Sequence, residues 1–201
     1  MYQHQALKVP ILQPNIRRPK DIYPNACDFC VRSHGETVYG NLWLDREPTV
    51  EEIKESIFAR DLSAYTEIVF CGYGEPTERL EDIREICKAI RARSDIQIRI
   101  NTNGHSDLIN GRDTAPDFEG LFDVVSISLN TSDPKIYKEM CRPKFGGGSH
   151  IALIAFALNV KEYVPRVVLS VVDTTITPED IEECRALAED IGVEFRLREF
   201  I

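Results

Sequence analysis

From position 49 onward the apolar residues fall into two alternating periods. Thr49-Val50-Glu51-Glu52 is a capping box, a hydroxyl at the N-cap with a carboxylate three residues on. It opens a helix predicted to run to about Arg60, with Ile53, Ile57 and Phe58 on one face. Glu67-Ile68-Val69-Phe70-Cys71 is then a short, nearly continuous apolar run that stops at Gly72, the pattern of a parallel strand buried on both faces. Leu80, Ile83, Ile86, Cys87 and Ile90 return to helical spacing. The unit recurs. Strands are predicted at 96–101, 123–129, 166–172 and 194–200, and helices at 134–140, 149–163 and 177–191, the last with Thr177 as N-cap and Pro178 in its first turn. The stretch 104–120 is the least regular crossover, with room for a turn or two of helix.

Strand-helix alternation at this length predicts an α/β chain with a parallel sheet. A closed eightfold barrel takes about 250 residues, so 201 residues point to a partial (βα)6 TIM-like barrel of parallel strands, five of them distinct and the first not recognisable. That first strand belongs in residues 1–22, an atypical leader set apart from the domain at 23–201. The leader holds four basic residues and one acid, against 20 basic and 32 acidic residues in the rest, and Pro10, Pro14 and Pro19 interrupt it. Only Leu7 to Leu12 has strand character, and Pro10 confines it to a sheet edge. A loosely docked leader and a replacement for the first strand are both open.

Charge and composition narrow the function. A net charge of -9 argues against a nucleic-acid backbone as the main partner. No apolar run reaches the roughly 18 residues of a membrane span, and no signal-peptide pattern opens the chain. A cytoplasmic location is expected, where six cysteines serve as thiols or ligands rather than disulfides.

The chemistry is expected at the carboxyl ends of the strands. The first distinct strand ends in Gly72-Tyr73-Gly74-Glu75-Pro76, whose glycines permit positive φ and close approach to a ligand. Later strand ends offer Asn101, Asn103, Ser128, Asn130, Asp173 and Glu199, short polar groups suited to a small polar ligand. Upstream stands Tyr23-Pro24-Asn25-Ala26-Cys27-Asp28-Phe29-Cys30, a C-x-x-C pair that also occurs in zinc clasps and redox dithiols. Each feature alone has a plain structural explanation; their order along one alternating chain is far more specific.

That order resembles the radical S-adenosylmethionine (SAM) superfamily. The runs 69–76, Arg99-Ile100-Asn101-Thr102-Asn103-Gly104 and Ser126-Ile127-Ser128-Leu129-Asn130 are most similar to its TatD-nuclease-associated subgroup. The resemblance covers residues from Pro24 to the C-terminus. It implies a 4Fe-4S cluster held by C-x-x-x-C-x-x-C, with one iron open to SAM, and reductive cleavage of SAM to a 5'-deoxyadenosyl radical. Cys27 and Cys30 would be the second and third ligands, and Phe29 would pack on the adenine. Gly72, Tyr73, Gly74, Glu75 and Pro76 would line the methionine amino group, with Asn103, Ser128, Asn130 and Asp173 on the rest of SAM. A flavodoxin or ferredoxin as electron donor, a small substrate of unspecified identity and a functional link to a TatD-type nuclease are implied too.

The chain departs from this pattern at one position. Tyr23 stands where the first cysteine belongs, and a phenolate is a harder ligand than a thiolate. His4 and His34 are conceivable substitutes. The departure leaves open a radical SAM enzyme, a cluster-less SAM or small-molecule binding module of the same fold, and a chain with a misassigned start. Of the other cysteines, Cys87 and Cys184 read as core residues on helix faces, Cys71 as packing beneath the glycine turn, and Cys141 as a surface thiol in a flexible loop.

Overall fold

The computed structural model describes residues 6–10, 24–30, 46–72 and 74–199. Six strands, β1 Ala6–Pro10, β2 Glu67–Cys71, β3 Gln97–Thr102, β4 Val124–Ser128, β5 Arg166–Val172 and β6 Glu194–Arg198, form one parallel sheet in sequential order. The strand in the leader is β1, at the sheet edge beside β2 with Leu7 opposite Ile68. An edge tolerates Pro10 because no neighbouring strand needs its missing N–H.

Sequential order brings every crossover back over one face. That face carries Leu7, Ile68, Phe70, Ile100, Ile127 and Leu169, buried in a single core. The covering helices are α1 Val50–Phe58, α2 Leu80–Arg91, α3 Ser106–Asn110, α4 Pro134–Cys141, α5 Ser149–Val160 and α6 Pro178–Asp190. Around α3, the irregular 104–120 crossover is completed by a 3-10 turn at Ala115–Phe118. The capping box forms at α1: Thr49 Oγ1 accepts from the Glu52 N–H, and the Glu52 carboxylate accepts from the Thr49 N–H. No helix among the described residues is long and apolar enough to cross a membrane.

Two features set the geometry of the carboxyl ends. Gly104, at φ +78°, lets α5 pack directly on the turn after β3, since a Cβ there would stand 2.8 Å from Leu153 Cβ and 2.9 Å from Ile127 Cγ2. The short helix α4 lies over the strand ends, because its Tyr137 hydroxyl is 3.4 Å from His105 after β3 and its Cys141 thiol accepts from Asn130 after β4 at 3.4 Å.

Candidate SAM and cluster site

The turn after β2 is built on Glu75. Its buried carboxylate accepts from the Thr77 N–H (3.2 Å) and hydroxyl (2.8 Å), the Thr102 hydroxyl (2.6 Å) and the Asn103 N–H (2.7 Å). The Glu75 side chain therefore bolts the glycine turn to the end of β3. Burial pushes its carboxyl up while these four bonds pull it down. Gly72 and Gly74 have φ of +149° and +133° and are exposed, a backbone that side-chain-bearing residues resist. Pro76 is buried and starts the 3-10 turn Pro76–Arg79; Tyr73 lies outside the described residues.

The cysteine loop docks on the C-terminus of α4. The last carbonyls of a helix lack intrahelical donors, and here the Ala26 N–H donates to Cys141 O (2.8 Å) and the Asp28 N–H to Met140 O (3.1 Å). The Lys144 N–H returns a bond to Pro24 O at 2.8 Å. Arg142, the left-handed C-cap at φ +42°, donates from Nη2 to Ala26 O and pairs with Asp28. These contacts hold Cys27 and Cys30 half-buried, with Phe29 against the core.

Cys141 corrects the sequence reading. It is the last residue of α4 and fully buried, not a surface thiol in a flexible loop. Its thiol is hydrogen-bonded to that of Cys27, which leads the causes holding it below its ordinary value. No sequence signal connects positions 27 and 141, because the contact arises from the docking of a loop on a helix end. Beneath them, Asn25 donates to the Tyr137 hydroxyl at 3.0 Å. Burial raises the Tyr137 phenol well above its usual range. His105 donates from Nε2 to Ser149 O at 3.1 Å, so its proton sits on Nε2; burial holds the ring down to about 4.

The remaining expected ligand contacts divide into two groups. Asn130 is buried in the left-handed region at φ +69°, with its amide on Cys141 and its carbonyl Oδ1 shielded from water and without a partner. Ser128 is half-buried at the end of β4. By contrast Asn103 and Asp173 hold local turns: Asn103 Oδ1 accepts from the His105 N–H (2.9 Å) and Asp173 Oδ1 from the Thr174 N–H (2.8 Å). Asp180 on α6 reaches across to accept from the Thr131 hydroxyl (2.7 Å) and the Ser132 N–H (3.1 Å) and hydroxyl (2.6 Å), fixing the loop that carries Asn130.

The donor set fits the expected cofactors unequally. For SAM, the orphaned Asn130 carbonyl and the bare Gly72 and Gly74 backbone are groups that a polar ligand satisfies. For a cluster, Cys27 and Cys30 offer two thiolates, while no group of three or more His, Cys, Asp or Glu among the described residues stands close enough to hold a metal ion. Tyr23, His4 and His34 lie outside the described residues.

The Radical SAM superfamily family model matches residues 24–191. The chain belongs to the radical SAM superfamily. Among similar solved structures is SuiB of Streptococcus suis bound to its precursor peptide SuiA, at 15% identity and TM-score 0.68 over 100% of this chain and 40% of that one. A radical SAM methyltransferase from Sphaerobacter thermophilus matches at 18% identity and TM-score 0.67, over 98% and 55% of the two chains. The protein anSMEcpe with bound AdoMet matches at 17% and 0.66, over 98% and 51%. At these identities the likeness concerns the fold, and the chain spans 40% to 55% of these neighbours' lengths. No curated protein matches the chain.

Proposed function

We propose that this chain is a radical SAM enzyme whose carboxyl-end cleft holds SAM between the glycine turn after β2 and Asn130 after β4, with Cys27 and Cys30 as cluster ligands. When bound, a 4Fe-4S cluster supplies the electron that cleaves SAM to methionine and a 5'-deoxyadenosyl radical. The chain's own residues supply position and shelter. Gly72 and Gly74 offer main-chain groups to the methionine end, with Glu75 keeping their turn in place. Asn130 offers a carbonyl to a hydroxyl or amine of SAM, and Ser128 stands beside it on the same strand. Phe29 covers the adenine, and α4 roofs the cleft against water. Residues 23–201 act as the working domain, with an electron donor of the flavodoxin or ferredoxin kind; the motif runs at 69–76, 99–104 and 126–130 favour the TatD-associated subgroup.

The observation that carries this reading is the cysteine loop pinned by two backbone hydrogen bonds to the end of α4 and a third from Lys144 just beyond it, beside the unsatisfied Asn130 carbonyl. The contact between the Cys27 and Cys141 thiols, with no third ligand grouped beside them among the described residues, favours a second reading, a module that binds SAM without redox chemistry. Anaerobic reconstitution with iron and sulfide, reduction and addition of SAM separates the two. The enzyme releases 5'-deoxyadenosine; the module binds SAM and returns it intact.

A further inference from the structure

The face of the sheet opposite the core reverses the charge of the chain. Alternate strand positions on that side carry Lys8, Arg99, Arg166, Arg196 and Arg198 against only two acids, Glu67 and Glu194, although the whole sequence has 33 acidic and 24 basic residues. Both acids are engaged. Arg99 holds Glu67 through Nε (2.9 Å) and Nη2 (2.7 Å), and Arg166 holds Glu194 through the same two atoms at 2.6 Å each.

Arg196 and Arg198 remain, two residues apart on the same side of β6, opposite Ser170 and Val172 of β5. No carboxylate among the described residues pairs with either. Arg198 is half-buried, and its Nε is shielded from water with no hydrogen-bond partner. A buried donor left unmade is unfavourable, and a like charge beside it adds to the cost. A guanidinium pair is relieved of both by a planar or tetrahedral oxyanion, which accepts through two oxygens.

We propose that Arg196 and Arg198 form an anion subsite on the inner face of the sheet that takes the carboxylate or phosphate of a small molecule. The subsite deepens the reading of the carboxyl end as a ligand cleft and rests on it for its role. Arg198 ends β6 at the carboxyl side of the sheet, where its carbonyl accepts from the Asp173 N–H at 2.7 Å, and it is within electrostatic reach of Cys27. The anion's source is either the carboxylate of SAM or an acidic group of a second substrate.

The test is calorimetric titration of the full chain with inorganic phosphate, then with SAM and with decarboxylated SAM, for the natural sequence and for Arg196→Gln/Arg198→Gln. Phosphate affinity falls at least about tenfold in the double variant, the loss of one charge-assisted pair, while the thermal midpoint does not fall, because unfavourable charge has been removed. If SAM weakens in parallel and decarboxylated SAM does not, the anion is the SAM carboxylate; if SAM binding is unchanged, the subsite serves a second substrate. Phosphate that fails to bind, or binds the variant equally well, overturns the proposal. Arg198→Lys keeps the charge and loses the fork, so it weakens phosphate in a side chain of nearly native bulk and repeats the test if the double variant misfolds. A chain that binds phosphate through these arginines yet takes up no SAM keeps the subsite and refutes the cofactor reading.

Discussion

The thiol of Cys141 is hydrogen-bonded to the thiol of Cys27, joining the end of α4 to the loop that carries the C-x-x-C pair. Cys27 is half-buried and Cys141 fully buried, so a soluble disulfide reaches Cys27 first. Exchange with oxidised glutathione then links the two cysteines: Cys27 displaces one glutathione thiolate, Cys141 attacks Cys27 sulfur and displaces the second, and two thiols are oxidised as one disulfide is reduced. Peptide mapping of the oxidised chain is expected to show a Cys27–Cys141 link, and Cys141→Ser to retain glutathione on Cys27. A Cys27–Cys30 link in the natural chain would contradict this expectation.

His105 predicts a pH dependence. Its ring is held down to about 4 from an ordinary 6.5, so between those values the unfolded chain binds the extra proton. The contribution is complete above about 6.5 and is lost as pH falls towards 4, at most about 3 kcal/mol. His150, also held down by burial, acts in the same direction. Urea denaturation at pH 7 and pH 4.5 is expected to show a smaller drop in stability for His105→Gln than for the natural chain.

Gly104 is the position where a single methyl group does most damage. A Cβ there meets Leu153 and Ile127 at under 3 Å, and the backbone sits at φ +78°. Gly104→Ala is expected to cost about 2–4 kcal/mol from left-handed strain and overpacking together, read as a lower urea midpoint with an unchanged slope.

Asp180 makes no contact expected of a cofactor ligand, yet it holds the loop after β4. Asp180→Asn removes the charge from three hydrogen bonds to Thr131 and Ser132 and is expected to cost about 2–3 kcal/mol. SAM affinity falls with it, by about tenfold, because Asn130 is no longer held. Thr131→Ala alone is expected to produce a smaller shift in both measurements.

Much of this was legible from periodicity. Buried parallel strands read as apolar runs, and β5 matches its predicted 166–172 span, because every one of its residues after Arg166 is buried. The N-caps at Thr49 and Thr177 were equally plain, because a cap is a local bargain between neighbours in sequence. What periodicity missed was long-range. The burial of Cys141, the reach of Asp180 and the saturation of Glu75 by Thr102 and Asn103 each depend on segments 27 to 114 residues apart. The arginine pair was available in the alternation of Glu194-Phe195-Arg196-Leu197-Arg198, where every second residue is charged; only the pairing of the other charges made it informative.

The proposed cluster site in the loop at Cys27 and Cys30 is open to direct assay. Its most direct test is the iron and sulfide content of the full chain after anaerobic reconstitution, for the natural sequence, Cys27→Ser and Tyr23→Cys. Cys27→Ser is expected to abolish the iron-sulfur absorption of the natural chain, and Tyr23→Cys to raise its content towards about four irons per chain. A natural chain without iron whose Tyr23→Cys variant also stays empty would contradict the proposal.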